Sequence, residues 1–175
     1  MMIVVSIVRD TGLFQYVAIL TAKLAKGDPL KIMIFLMTVT AIFSAFLDNV
    51  TTILVVSPLS ILIAVELGVS PAPFLITQAI ASNIGGTATL IGDPPNLMIG
   101  YSTGLTFNDF LVNLGPLILI ILVVMIVMTV LLFRKKLVVH NERRARIMEF
   151  DESEAITDRP FLYKSLAILG VMLAG

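Results

Sequence analysis

Apolar residues arrive in long blocks along the chain, and short polar clusters interrupt them. Residues 32–47 are apolar, "DNVTT" follows, and a second apolar stretch runs to about Val65. Each arm of about sixteen residues would be near 24 Å long as a helix, short of a roughly 30 Å hydrocarbon core. The pattern predicts a re-entrant helical hairpin over 30–66 with its polar tip near mid-bilayer. Two full but short helices joined at the far surface are the competing reading. "ELGVSPAP" then reads as a surface turn.

Residues 74–81 predict half a helix, and residues 97–101 another short helical piece. Between them stands "SNIGGTATLIGDPPN", rich in Gly, Pro, Asn and Thr. The whole of 73–103 is therefore expected to be a broken helix. "STGLTFNDFLVNLGP" follows and reads as a polar turn without Lys or Arg. Residues 117–133, with a residue or two before them, predict a full transmembrane helix over 115–133.

Upstream, Thr11 suits an N-cap for "GLFQYVAILTAKLAK", and Gly27-Asp28-Pro29 stops that helix. Gln15, Lys23 and Lys26 fall on roughly one face. The expected element is an interfacial helix over 11–27, with a tilted membrane helix as the alternative.

Composition turns these patterns into a membrane assignment. The chain is 58% hydrophobic and 14% charged, where a soluble domain carries about a quarter charged residues. All Lys and Arg fall within residues 9–31 and 134–164. Between those zones the only charges are Asp48, Glu66, Asp93 and Asp109. Basic residues hugging the end of the full span mark the cytoplasmic side, so 134–160 is expected to be a cytoplasmic linker. His140 then reads as a solvated linker residue. Residues 161–175 look like the start of another transmembrane helix. Residues 1–8 resemble the tail of one, so the expectation is an internal piece of a longer membrane protein. A short protein starting at Met1 is the alternative. "MMIVVSIVRD" lacks the basic region and cleavage site of a signal peptide.

Composition also excludes chemistry. Formal net charge is zero, which gives no basis for nucleic-acid binding. The absence of Cys removes disulfides, Cys-ligated metals and thiol catalysis. The Gly-rich run lacks the Gly-Lys-Ser/Thr of a phosphate loop. Ser57 or Ser82 as a nucleophile would have no visible base, so no enzyme is expected.

Non-helical backbone survives at membrane depth only against protein or a water-filled cavity. Residues 83–96 are therefore expected to face inward. Gly85 and Gly86 would permit unusual φ and close approach, and Pro94 and Pro95 would stop the helix. Thr87, Thr89, Asn83 and Asn96 add neutral oxygens, and Asp93 adds a carboxylate. The hairpin tip repeats that chemistry with Asp48, Asn49, Thr51 and Thr52. Such oxygens suit a hard monovalent cation or a proton. Intramembrane carboxylates are usually functional, although either Asp could instead cap a helix. The Gly and Pro residues could equally serve packing or a kink. Two interrupted apolar segments so close together point to a transporter site.

"SNIGGTATLIGDPPN", preceded by "FSAFLDNVTTILVVSPL", closely resembles the ion transporter superfamily with its citrate-transporter-like domain. The likeness is greatest to the branch of sodium/proton antiporters, arsenite-permease-like proteins and the melanosomal P protein. It extends from "DTGLFQY" through "FRKKL".

The resemblance implies an all-α integral membrane fold, one unit of an inverted-repeat carrier at least about twice this long. Its hairpin tip maps to Asp48, Asn49 and Thr51. The break maps to Asn83, Gly85, Gly86, Thr87, Asp93, Pro94, Pro95 and Asn96. Dicarboxylate carriers of the superfamily have Ser-Asn-Thr at the tip and a neutral Ser or Thr before the Pro pair. Here Asp48-Asn49-Val50 and Asp93 stand instead. Like charges 4 Å apart cost about 4 kcal/mol at an effective dielectric near 20, which disfavours a dianion.

The expected function is sodium/proton antiport through intramembrane Asp residues. An arsenite or organic-anion permease is the alternative, and a truncated product without transport the second. No cofactor is expected beyond a transported sodium ion and proton. Expected partners are the lipid bilayer and a matching second repeat of the same polypeptide, with a homodimer allowed and nucleic acid not. The expected location is the plasma (inner) membrane.

Overall fold

A computed structural model describes residues 13–134, together with Leu137 and Val139. Six helices follow in order: α1 (Leu13–Leu24), α2 (Pro29–Phe46), α3 (Asn49–Leu67), α4 (Ala72–Thr87), α5 (Pro94–Thr103) and α6 (Phe107–Phe133). The described residues contain no strand. The N-terminal tail, Thr11, and the linker with His140 lie outside the described residues, as does the apolar run over 161–175.

Local chemistry sets the helix ends. Asp28 caps α2, its Oδ1 accepting from the N–H groups of Leu30 at 3.0 Å and Lys31 at 3.2 Å. Pro29 occupies the first helical turn, where a missing N–H costs nothing. Lys26 and Gly27 are left-handed, at φ 52° and 66°, so Lys26 has left the α1 face on which the sequence placed it. Only Leu47 and Asp48 join α2 to α3. Gly68 ends α3 at φ 68°, a conformation that Gly adopts without a Cβ penalty.

Among the described residues, three helices are long and apolar enough to cross a membrane: α2 with 18 residues, α3 with 19 and α6 with 27. The hairpin arms thus exceed the expected sixteen residues and reach about 27–28 Å. α6 departs further from expectation. Residues 107–116, read from sequence as a polar turn, are its first turns. Thr106 and Asp109 form a reciprocal capping box, with the Thr106 N–H donating to Asp109 Oδ2 at 2.8 Å. That box satisfies backbone donors at the helix start, so the helix begins among polar residues. Pro116 is accommodated inside it.

α2, α3 and α4 pack together as a three-helix unit, and α6 lies against α2 and α4. Leu122 of α6 meets Met37, Ala41 and Ala81, while Leu119, Ile120, Val123 and Val127 of α6 stay exposed. At one end Ala22, Ile32, Ile63 and Phe74 form an apolar cluster with Leu137 and Val139. That cluster gathers the end of α1, the start of α2, the end of α3 and the start of α4. The hairpin tip and the break lie at the opposite end.

Candidate functional site

The two interruptions meet. Asn49 is the first residue of α3, and Asp93 is the N-cap of α5. The Asn49 amide Nδ2 donates to Asp93 Oδ1 at 3.1 Å and to Asn83 Oδ1 at 3.0 Å. Residues from three elements, 34 and 44 positions apart, thus share one point. The ends of α2 and α4 arrive there with the starts of α3 and α5. Helix C-termini offer carbonyl oxygens with partial negative charge, and N-termini offer N–H groups. A cleft of about 260 Å³ lined by Asn49, Val50, Ile53, Ala79, Ser82 and Asn83 opens beside it.

The break is shorter than the sequence suggested. Only residues 88–93 are non-helical. Asn83, Gly85, Gly86 and Thr87 belong to the last turns of α4, and Pro94, Pro95 and Asn96 to the first turn of α5. The two prolines therefore start a helix, where they sacrifice no hydrogen bond, in place of stopping one.

The candidate residues divide by task. Asp48 caps α3, its Oδ1 accepting from the Thr51 N–H at 2.8 Å. Asp93 makes no side-chain capping bond to α5; its Oδ1 faces Asn49. Thr51 contributes its backbone N–H to the Asp48 cap. The Thr87 hydroxyl bonds back to the Asn83 carbonyl at 2.8 Å. Asn96 uses its amide nitrogen, donating to the carbonyls of Thr89 at 2.8 Å and of Gly86 and Thr87 at 3.3 Å. It thereby satisfies carbonyls that the end of α4 leaves without helical partners. The Thr89 hydroxyl donates to the Ala45 carbonyl and accepts from the Gly92 N–H at 3.2 Å, which ties the break to α2.

Gly85 and Gly86 meet the expected close approach and not the expected unusual φ. Neither has positive φ. Both are buried, and a Cβ on Gly85 would drive into the Ala41 carbonyl of α2. Their role is close backbone approach, which small residues permit between membrane helices. Gly92 was missed in the sequence; a Cβ there would lie 2.6 Å from the Ser44 carbonyl oxygen. Ser44 was missed too, and its Oγ donates to the Ser82 carbonyl at 2.6 Å. Gln78 is a third, 1% exposed, with Nε2 donating to Ser60 Oγ at 2.5 Å. A lone Gln inside an apolar half-helix was the available signal for it.

Among the described residues, no three His, Asp or Glu side chains converge as a metal cage. One carboxylate with amide oxygens suits a single positive charge better than a divalent ion, which takes several carboxylates or waters.

Asn96→Ala is expected to lower the stability of the folded protein by about 1–3 kcal/mol, because buried carbonyls lose their donor. Thermal melting in detergent reads this directly, and an unchanged melting point would refute the stapling role.

The chain matches the family model described as "Citrate transporter" over residues 1–175. It is similar to the "46 kDa membrane protein" of Mycobacterium leprae, 49% identical over 169 residues, covering 97% of this chain and 39% of that protein. A protein of Mycobacterium tuberculosis named as an uncharacterized transporter is 47% identical over 174 residues, covering 99% of this chain and 40% of its own length. The P protein of Homo sapiens is 46% identical over 99 residues, covering 57% of this chain and 12% of that protein. The chain thus spans about two fifths of the length of the two mycobacterial relatives.

Proposed function

The chain belongs to the citrate transporter family, and from that premise we propose that it is one repeat of a secondary transporter exchanging sodium for protons at Asp93. Its family, its relatives' names and its three long apolar helices make it an integral membrane segment of a transporter. The cargo is our inference, as are a re-entrant tip, a matching second repeat in the same polypeptide and a plasma-membrane location.

The contact of Asn49 with both Asn83 and Asp93 carries this reading. It sets a carboxylate and an amide oxygen side by side in a region where the sequence places no Lys or Arg between Lys31 and Arg134. A carboxylate must be ionised to hold a cation, so sodium and a proton compete for it. Alternating exposure of such a site exchanges one for the other. Asp48 is already committed to its cap, which leaves Asp93 as the titrating group.

A second reading has one observation in its favour. The N-termini of α3 and α5 converge at the same point, and helix N-termini attract anions. An organic-anion permease would use them. Asp93 stands at that point and repels a polyanion, so the cation reading is preferred.

The test is a flux assay on the complete polypeptide in vesicles carrying a pH-sensitive dye. An imposed sodium gradient is expected to move protons, and a choline gradient is not. The 175 residues alone are expected to move none. Uptake of an organic anion or of arsenite, indifferent to sodium, would replace antiport with the permease reading.

A further inference from the structure

Two cations at the end of the helices away from the break stand where local chemistry disfavours them. α1 ends in a Schellman turn: the Gly27 N–H donates to the Ala22 carbonyl at 3.3 Å and the Lys26 N–H to the Lys23 carbonyl at 2.8 Å. Lys26 thereby takes the left-handed position, φ 52°, which Gly fills without a Cβ penalty. Among the described residues it is the one non-Gly residue with positive φ. The helix dipole does not require it, because Lys23 already puts a cation in the last turn of α1. Lys31 lies in the first turn of α2, the end at which the dipole disfavours a cation. Both residues are exposed, so core packing does not hold them there. Such departures from local rules persist where something beyond the local chain uses them.

One apolar cluster brings these cations together with a third. Ala25 and Ile32 belong to it with Leu137 and Val139, and Leu30 and Phe133 pack against it. Lys26 follows Ala25, Lys31 stands between Leu30 and Ile32, and the exposed Arg134 follows Phe133. The sequence continues with Lys135 and Lys136. Among the described residues the acids of this end are Asp28 and Glu66, and Asp28 spends its Oδ1 on the α2 cap. Leu24, between Lys23 and Lys26, is 66% exposed. A soluble anion gains nothing from that leucine. A lipid surface meets both features, with phosphates for the cations and acyl carbons for the leucine.

We propose that the α1–α2 junction and the C-cap of α6 form a binding surface for anionic phospholipid headgroups. Lys26, Lys31 and Arg134 meet the phosphates, and Leu24 enters the boundary between headgroups and acyl chains. Clustered Lys and Arg mark this end as cytoplasmic, where the leaflet carries anionic lipid. The surface lies at the opposite end from Asp93, so it stands whichever cargo the transport site carries.

The complete polypeptide, in an uncharged detergent, is titrated with phosphatidylglycerol, with phosphatidylcholine of the same chains and with inorganic phosphate, and its thermal midpoint is read. A ligand of the folded state raises that midpoint by mass action. Phosphatidylglycerol is expected to raise it saturably, and the other two are not. Each basic residue near an anionic surface is worth about fivefold in binding. Lys26→Gly is therefore expected to weaken the phosphatidylglycerol affinity about fivefold, and Lys26→Gly with Lys31→Gln about twenty-fivefold. Lys26→Gly also relieves the left-handed φ, so its lipid-free midpoint is expected at or above the wild-type value, which separates lost lipid binding from lost folding. Lys26→Arg keeps the charge and is expected to bind as the wild type does. Wild-type phosphatidylglycerol affinity in the double variant overturns the proposal, as does an equal response to phosphatidylcholine. An equal response to inorganic phosphate overturns it in favour of a free anion.

Discussion

Asp93→Asn in the complete polypeptide is expected to reduce sodium-dependent proton flux at least about thirtyfold at subsaturating sodium, whereas Asp48→Asn changes it less than about threefold. The two acids look alike in the sequence, since each precedes a helix and lies in an apolar region. Their partners separate them. Asp48 accepts from the Thr51 N–H at 2.8 Å, a capping bond that Asn makes nearly as well as Asp. Replacing Asp48 by Asn therefore keeps the start of α3 and removes a charge that is already spent on the cap.

Asp93 has no such duty toward α5. Its oxygen joins the shared point with Asn49 and Asn83, where, on the antiport reading, its charge would act on the ion. A unit charge about 4 Å from a monovalent cation contributes about 4 kcal/mol at an effective dielectric near 20. Asp93 is half-buried, so solvent screening leaves roughly half of that. About 2 kcal/mol is about thirtyfold in affinity. Asn at 93 also cannot release a proton, so coupling is lost along with affinity. A larger loss in Asp48→Asn than in Asp93→Asn would move the titrating site to the hairpin tip.

The sequence made both interruptions visible because polar residues are costly in hydrocarbon and stand out against apolar blocks. It could not show that the interruptions touch, since residues 49 and 93 are joined only through α3 and α4. It also misjudged which end of a side chain is used. Asn96 was expected to offer oxygen, yet its nitrogen binds the α4 carbonyls. Asn carries donor and acceptor on one group, and only the surroundings choose between them.

The start of α6 was hidden for a related reason. Asn108, Asp109 and Asn113 suggest a turn by type, but the Thr106–Asp109 capping box makes that same polarity a helix start. Gly85 and Gly86 posed a third ambiguity. A glycine satisfies positive φ and close packing equally well, and here packing is what the fold requires.

Gly85→Val is expected to be the most damaging single substitution to folding, with a loss of at least about 3 kcal/mol, the upper end for overpacked cores. The atoms nearest a Cβ at this position are the carbonyl oxygen, carbonyl carbon and Cα of Ala41. All are backbone, so no rotamer change relieves the clash and α4 must move away from α2. That movement breaks the Ser44–Ser82 bond and the Thr89–Ala45 bond, which join the same two segments. It also withdraws Asn83 from Asn49, so the site comes apart with the packing. Gly115→Ala provides the control. It lies within α6, and its Cβ would meet only the Leu111 side chain at 3.7 Å. Ala there is expected to be neutral or to add up to about 1 kcal/mol of helix propensity. Thermal melting and monodispersity in detergent, read beside sodium-dependent flux, should separate the two variants. If Gly85→Val melted with the wild type and still carried protons, close contact between α2 and α4 would not be what holds the hairpin tip against the break.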